Sequence, residues 1–170
     1  IENEINSVNQ VLNSNDKPLT AIVGGAKVSS KITIISRLLD KVDHLVIGGG
    51  MAYTFIKALG GSIGSSLVED EFLQTAKEII EKAKINGVEL HLPSDTVVSA
   101  EFSNESNTDL CDIYDIKEGL MGLDIGPKSI ESFKSVILSS SLILWNGPMG
   151  VFEMSNFQKG TVDIAYAIVE

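Results

Sequence analysis

Short apolar runs alternate along the chain with longer segments in which apolar residues recur every three or four positions. The short runs are typical of buried strands, and the periodic segments are typical of amphipathic helices. The runs predict strands over residues 19–23, 44–47, 88–92, 96–102, 122–126 and 142–145. The periodic segments predict helices over 2–14, 51–59 and 68–86, one that ends near 43 with Ser29 or Ser30 as N-cap, and two that begin at 127 and 160.

The order of these elements predicts the fold class. Strands 19–23 and 44–47 are each followed by glycine and then by a helix, which is the pattern of a βαβ unit and hence of a parallel sheet. We therefore predict an α/β protein with a Rossmann-like three-layer αβα architecture and a mainly parallel sheet. The polar segment 103–109 is expected to be a surface loop, and residues 110–120 show no clear pattern.

The turn between the first strand and the following helix carries the strongest chemical signal. Gly24 and Gly25 would place bare backbone N–H groups beside a helix N-terminus, which together favour binding of an anion. Lys27 and Lys31 are four residues apart, and two cations in a first helical turn oppose the helix dipole unless an anion binds between them. We predict a phosphate site at this turn. The alternative is an ordinary glycine turn with two solvated lysines.

Composition limits the partners of the protein. With 170 residues and 44% hydrophobic content, the chain is long enough for one domain with a substantial core. The net charge is −10 and Arg37 is the single arginine, which argues against nucleic acid as a partner and suggests that a polyphosphate would bind with a divalent cation. No apolar run is long enough to span a membrane. The lone Cys111 fits a reducing compartment, so we expect a cytoplasmic protein.

Two further glycine-containing turns are candidate ligand contacts. The triplet 48–50 would let the backbone approach a ligand, or it is simply a tight turn. It does not match the dinucleotide fingerprint because Tyr53 occupies the position of the third glycine. The Asn-Gly-Pro sequence at 146–148 with Glu153 downstream could bind a ribose diol, or it is a turn followed by a surface glutamate.

The glycine turns also support one another. In a doubly wound sheet the ligand lies at the carboxyl ends of the strands, so the turns at 24, 48, 122–126 and 147 would line one crevice. His44 and His91 are more often structural than catalytic in such positions, and no nucleophile–histidine set or zinc-ligand spacing occurs. Phosphoryl transfer remains possible because it depends mainly on positioning and on charge stabilisation.

Four motifs follow one another along the chain. They are Gly-Gly-Ala-Lys-Val at 24–28 with a second lysine at 31, Gly-Gly-Gly-Met-Ala-Tyr-Thr-Phe at 48–55, Gly-Leu-Asp-Ile-Gly-Pro at 122–127 and Trp-Asn-Gly-Pro-Met-Gly-Val-Phe-Glu at 145–153. This set strongly resembles the nucleotide-binding C-terminal domain of the phosphoglycerate kinase family, from about Leu19 to the end of the chain. That family transfers a phosphoryl group between 1,3-bisphosphoglycerate and Mg–ADP in glycolysis, giving 3-phosphoglycerate and ATP.

The resemblance implies a role for each motif. Gly25, Ala26 and Lys27 correspond to the turn that contacts phosphate, and Lys31 to the lysine that meets the nucleotide phosphates and the transferring group. Lys27 and Lys31 are thus the implied catalytic residues. Asn146 corresponds to a contact on the phosphate side. The residues that correspond to the adenine slot are Gly49, Gly50, Leu67, Gly122, Leu123, Pro148 and Val151, and Glu153 corresponds to the ribose-binding carboxylate.

The resemblance also implies parts that this sequence lacks. The basic N-terminal domain that binds the triose substrate, and the later loop whose aspartate binds Mg²⁺, have no counterpart in these residues. We therefore expect residues 1–18 to be an interdomain-type helix and lead-in, and 19–170 to be a truncated nucleotide-binding domain without a metal ligand. We expect the parent protein to be a monomer and this piece alone to be inactive. The rivals are a non-catalytic nucleotide-binding module and a dinucleotide-dependent oxidoreductase, which the missing fingerprint disfavours.

Overall fold

The computed structural model describes residues 18–101, 103, 107–151, 154 and 157–169, so the predicted helix over 2–14 and Glu153 lie outside the described part. The strands in chain order are β1 (Leu19–Val23), β2 (His44–Ile47), β3 (Ser62–Ile63), β4 (Glu89–His91), β5 (Asp95–Ser99), β6 (Thr108–Asp112), β7 (Asp115–Ile116), β8 (Met121–Ile125) and β9 (Leu142–Asn146). The helices are α1 (Ile32–Leu38), α2 (Ala52–Ala58), α3 (Leu73–Ile85), α4 (Pro127–Leu138) and α5 (Lys159–Val169), with short 3₁₀ turns at Val28–Ser30 and Asp70–Phe72.

The central sheet has four parallel strands in the order β4-β2-β1-β9. The chain runs outward from β1 through β2 to β4, and β9 then returns to the opposite side of β1. The strand order therefore reverses between β1 and β9. In open α/β sheets such a reversal separates the loops at the carboxyl ends of the two strands and leaves a crevice for a ligand.

Alternate residues of β1 pack on opposite faces of this sheet. Ala21 and Val23 belong to an apolar cluster that includes buried residues of α1, α2 and α3, whereas Ile22 belongs to a second cluster with residues of α4 and α5. All five residues of β1 are buried, as its continuous apolar sequence predicts for a strand covered on both faces. Helices thus cover both faces of the sheet, which confirms the predicted three-layer αβα architecture.

A second sheet departs from the sequence prediction. Its three strands have the order β6-β5-β8 and both pairings are antiparallel, so the 122–126 segment is not part of the parallel sheet. Strand β6 overlaps the predicted surface loop over 103–109, which is therefore wrong for its last two residues. Four of the five residues of β6 are exposed, because it is an edge strand, and Cys111 alone among them packs against a core cluster, so the strand has no regular apolar alternation. Strands β3 and β7 form a separate two-stranded pair.

The start of the first helix also differs from the prediction. The chain passes through the 3₁₀ turn at Val28–Ser30, and the N-cap of α1 is Lys31, which makes no side-chain capping bond. Neither predicted serine caps the helix. The Ser30 hydroxyl donates to the Lys27 carbonyl at 2.9 Å. Helix α3 likewise begins later than predicted, at Leu73, because a 3₁₀ turn precedes it.

Helix α1 ends at Leu38, earlier than the predicted end near residue 43, whereas two other helix boundaries agree with the sequence. Gly126 is the N-cap of α4 and Pro127 is its first residue, where the missing N–H group of proline costs nothing. Gly87 follows α3 with a φ of +73°, as expected for a glycine that ends a helix. None of the helices in the described ranges combines the length and the apolar character needed to cross a lipid bilayer.

Candidate functional site

A cavity of about 500 Å³ lies at the carboxyl ends of the parallel strands. It lies at the crevice that the strand order predicts, because the loops after β1, β2 and β9 all contribute to it. Its other wall comes from the start of β8 and from the loop before α3. The lining residues are Gly25, Ala26, Gly49, Gly50, Tyr53, Ser65, Leu67, Met121, Gly122, Leu123, Pro148, Met149, Gly150 and Val151.

Backbone hydrogen bonds hold the three loops together. The N–H group of Gly24 donates to the Asn146 carbonyl at 2.7 Å, that of Gly25 donates to Pro148 at 3.1 Å, and that of Gly49 donates to Met149 at 3.1 Å. The glycine N–H groups are therefore not bare, contrary to the sequence prediction, because they join the loops instead. A phosphate at this turn would have to use other donors.

Close packing explains why glycine is needed at position 49. Its φ is +74°, and a Cβ atom there would lie 2.5 Å from both the nitrogen and the oxygen of Gly25. Any side chain would therefore be strained and would push the loops after β1 and β2 apart. The triplet thus lies close to the backbone of the first loop, and its approach to a ligand stays a prediction.

The two lysines differ in their surroundings. The Lys31 ammonium donates to the Asn146 side-chain oxygen, so it links the start of α1 to the end of β9. It lies beside the cavity, because its Cε atom is 3.3 Å from where a Cβ atom on Gly25 would be. Lys27 is exposed and has an extended backbone before the 3₁₀ turn. The prediction that both lysines occupy one helical turn is therefore wrong, and Lys31 alone is held against the cavity wall.

Most of the residues assigned to the adenine slot do come together. Gly49, Gly50 and Leu67 line the cavity together with Leu123, and the Val151 N–H group donates to the Leu123 carbonyl at 2.8 Å. Leu67 is 49% exposed, which leaves an apolar side chain available to a flat ligand. The predicted residues that line the cavity are Gly25, Ala26, Gly49, Gly50, Leu67, Gly122, Leu123, Pro148 and Val151. Lys27, Lys31 and Asn146 are not among the lining residues, and Glu153 lies outside the described ones.

Tyr53 is a wall residue that the sequence did not predict. Its hydroxyl group is hydrogen-bonded to the Thr96 hydroxyl group at 2.7 Å, and burial raises the pKa of the phenol well above its ordinary value. The ring also packs where a side chain at position 122 would be, so Gly122 is required by the tyrosine. Because Tyr53 stays neutral and is held by β5, it forms a rigid apolar wall.

Glu69 is a second residue that sequence reasoning missed. Its carboxylate accepts hydrogen bonds from the Ser29 N–H group at 3.1 Å and from the Ser29 hydroxyl group at 2.7 Å. Partial burial raises the pKa of Glu69, but the bonds from Ser29 and Val28 and the nearby Lys27 charge lower it further, so the net pKa lies below its ordinary value. An internal carboxylate therefore occupies the donors at the start of the 3₁₀ turn.

Replacing Glu69 with alanine is expected to lower the free energy of unfolding by about 0.5–2 kcal/mol, the usual effect of losing a helix cap. The cause is that the Val28–Ser30 turn loses its anionic acceptor. Urea unfolding at pH 7 measures the change, and Glu78→Ala on exposed α3 surface is the matched control. Equal stabilities of the two variants would mean that the Glu69 contact contributes nothing.

The chain is similar to known proteins along its whole length. The family model for phosphoglycerate kinase matches residues 1–170, the whole chain. The chain belongs to the phosphoglycerate kinase family. A phosphoglycerate kinase of Porphyromonas gingivalis is 52% identical over 170 residues, and one of Campylobacter curvus is 46% identical over the same span. The chain covers 41% and 42% of those two proteins, so it spans about two fifths of their length.

Solved structures of the family agree with the fold. The structure of phosphoglycerate kinase from Coxiella burnetii has a TM-score of 0.93 and 41% identity, and the match covers 98% of this chain and 43% of that one. The crystal structure of phosphoglycerate kinase from Pyrococcus horikoshii has a TM-score of 0.82 and 25% identity, with coverage of 99% and 43%. The sequence resemblance to this family is therefore confirmed.

Proposed function

We propose that this chain is the nucleotide-binding part of a phosphoglycerate kinase, which transfers a phosphoryl group between 1,3-bisphosphoglycerate and Mg–ADP. The main observation that supports the proposal is the position of Lys31. The cavity lies where the strand order reverses between β1 and β9, and Lys31 lies beside it with its ammonium group hydrogen-bonded to Asn146. An apolar cavity with a cation beside it is complementary to adenine joined to a polyphosphate.

The proposal assigns the base and the phosphates to different parts of the site. Adenine would bind between the loop at 49–50 and the wall formed by Leu123, with Leu67 and Val151 at its edges. The phosphates would lie toward the turn at 25–27, where Lys31 and Asn146 supply polar groups. Lys31, with Lys27, would stabilise the negative charge of the transferring phosphoryl group. The ribose contact assigned to Glu153 rests on the family resemblance.

The described residues fit the nucleotide better than its metal ion. The described residues that line the cavity include no carboxylate, and Mg²⁺ binds through carboxylates and phosphate oxygens. We therefore propose that Mg²⁺ enters with the nucleotide and takes its protein ligand from another part of a full-length enzyme. The triose-binding side is assigned to a separate N-terminal domain in the same way, with residues 1–18 leading into the domain at 19–170. A monomeric cytoplasmic enzyme is part of this proposal.

Calorimetric titration of the chain with ADP, with and without Mg²⁺, tests the nucleotide assignment. Saturable one-to-one binding of ADP is expected, with NAD as the comparison ligand binding more weakly because the chain lacks the dinucleotide fingerprint. Turnover of 1,3-bisphosphoglycerate is not expected from these residues alone. An equal response to ADP and NAD, or no response to either, would overturn the assignment of this cavity to an adenine nucleotide.

A further inference from the structure

Three side chains of types that commonly bind metal ions lie close together at the edge of the parallel sheet, away from the cavity. His44 is the first residue of β2, and Glu89 and His91 lie on the neighbouring edge strand β4. The parallel register pairs His44 with Glu89 and Val46 with His91. Since residues two apart on a strand share a face, all three side chains project from the same face of the sheet.

The ligand atoms of these side chains converge. The distance from His44 Nδ1 to His91 Nε2 is 3.1 Å, that from His44 Nδ1 to Glu89 Oε2 is 3.2 Å, and that from His91 Nε2 to Glu89 Oε2 is 3.7 Å. They form the one group of three such residues that could hold a metal ion among the described residues. The chain has two histidines, and both are in this cluster.

Hydrogen bonding does not satisfy this cluster while both imidazoles are neutral. If His44 Nδ1 carries a proton, that one proton is shared between Glu89 and the lone pair of His91 Nε2, and no proton lies between His91 and Glu89. If His91 Nε2 instead donates to His44 Nδ1, that nitrogen turns its lone pair toward the carboxylate. Each arrangement leaves two lone-pair atoms facing each other without a proton, 3.7 Å apart in the first and 3.2 Å apart in the second, whereas a cation between the three atoms would bind the lone pairs of all of them.

The distances between these three ligand atoms favour one type of metal ion. With bonds of about 2.0–2.1 Å, two ligands of a tetrahedral zinc ion lie roughly 3.3 Å apart, close to the three distances in the cluster. Two imidazole nitrogens and one carboxylate suit Zn²⁺, Co²⁺ or Ni²⁺ rather than Mg²⁺ or Ca²⁺. We propose that His44, Glu89 and His91 form a three-ligand site for a divalent transition-metal ion of the zinc type, with water in the fourth position.

This site is separate from the nucleotide cavity. His44 begins β2, whereas the 48–50 loop follows the other end of that strand, about 13 Å away at roughly 3.3 Å per residue. Both histidine side chains are about one-fifth exposed, so an ion can reach them. A bound ion would join edge strand β4 to β2 and would stabilise the sheet where it has no further strand partner among the described residues.

Titration of the untagged, metal-free chain with Zn²⁺, followed by calorimetry and by thermal unfolding, tests the site. One equivalent is expected to bind and to raise the midpoint of thermal unfolding. Co²⁺ is expected to give the strong visible absorption of a four-coordinate ion.

The variants His91→Gln and Glu89→Gln are each expected to weaken Zn²⁺ binding by about 10- to 100-fold or more. That range is typical of losing a residue that only hydrogen-bonds to a metal ligand, and the loss of a ligand itself should cost at least as much. Glu81→Gln, which removes an exposed carboxylate from α3, is the matched control.

Two results would overturn the proposal. The first is that Zn²⁺ leaves the unfolding midpoint of the parent chain unchanged at excess metal. The second is that Glu89→Gln binds Zn²⁺ as tightly as Glu81→Gln does. If a histidine variant folds poorly, Glu89→Gln still decides the question, because Glu89 is 69% exposed and its amide analogue keeps the size of the side chain. Retained ADP binding by the variants would show that the metal site is independent of the proposed nucleotide site.

Discussion

Replacing Lys31 with methionine is expected to weaken ADP binding roughly 10- to 100-fold, the cost of losing a charged hydrogen bond to phosphate. Methionine keeps the length and apolar character of the lysine stem, so the packing beside Gly25 is preserved while the charge is removed. The ammonium group makes its hydrogen bond to Asn146, a neutral side chain, and no carboxylate within the described ranges neutralises it. The nucleotide phosphates would supply that missing negative charge.

Calorimetric titration at constant ionic strength measures this effect. Lys77→Met on the exposed side of α3 is the matched control, because it makes the same change in net charge away from the cavity. Adenosine, which has no phosphate, is expected to bind equally to the parent chain and to Lys31→Met. Loss of ADP affinity in Lys77→Met as large as in Lys31→Met would mean that the effect comes from net charge alone. Unchanged affinity in Lys31→Met would remove Lys31 from the proposed phosphate site.

The sequence predicts well those parts of the fold that are set by short-range apolar patterns. The central strands β1, β2 and β9 are nearly continuous apolar runs, and each ends in a glycine turn that the cavity requires. The convergence of these turns follows from parallel pairing alone, because parallel strands place their carboxyl ends at one edge. Strand β6 could not be predicted in this way, since an exposed edge strand has polar residues on both faces.

Contacts between residues that are far apart along the chain could not be predicted from the sequence. Glu69 lies forty positions from Ser29, and nothing in either local sequence indicates that they meet. The glycine N–H groups were expected to face a ligand, but they bond to carbonyls of the 146–149 loop instead. From its local sequence, each of the two histidines is predicted to be an ordinary strand residue. Only the register between β2 and β4 brings the two side chains together. Such features depend on which strands are neighbours, which periodicity does not show.

Asp124 is expected to make the protein less stable as the pH rises from about 4 to 7. Burial raises the pKa of this carboxyl group from 3.8 to about 7, although hydrogen bonds from the N–H groups of Gly160 and Ile125 lower it in part. Between these pH values the native state holds a proton that the unfolded state has lost. The free energy of unfolding therefore falls with increasing pH, by up to about 4 kcal/mol across the window from this group alone.

Urea unfolding at pH values between 4 and 8 measures this dependence, with Asp124→Asn as the test variant. Asparagine does not titrate, so the difference between the two stability curves isolates the contribution of Asp124 from that of every other group. Asparagine also turns an N–H group toward one of the two backbone donors, which shifts its whole curve downward but does not change the slope. Asp70→Asn, which removes one carboxylate from an exposed ion pair with Lys57, is the matched control for the loss of one negative charge. Parallel curves for the parent chain and Asp124→Asn would mean that Asp124 is ionised throughout this range. The site would then have to hold a buried charge directly behind Gly150, because a Cβ atom on that glycine would lie 2.5 Å from the Asp124 carboxyl oxygen.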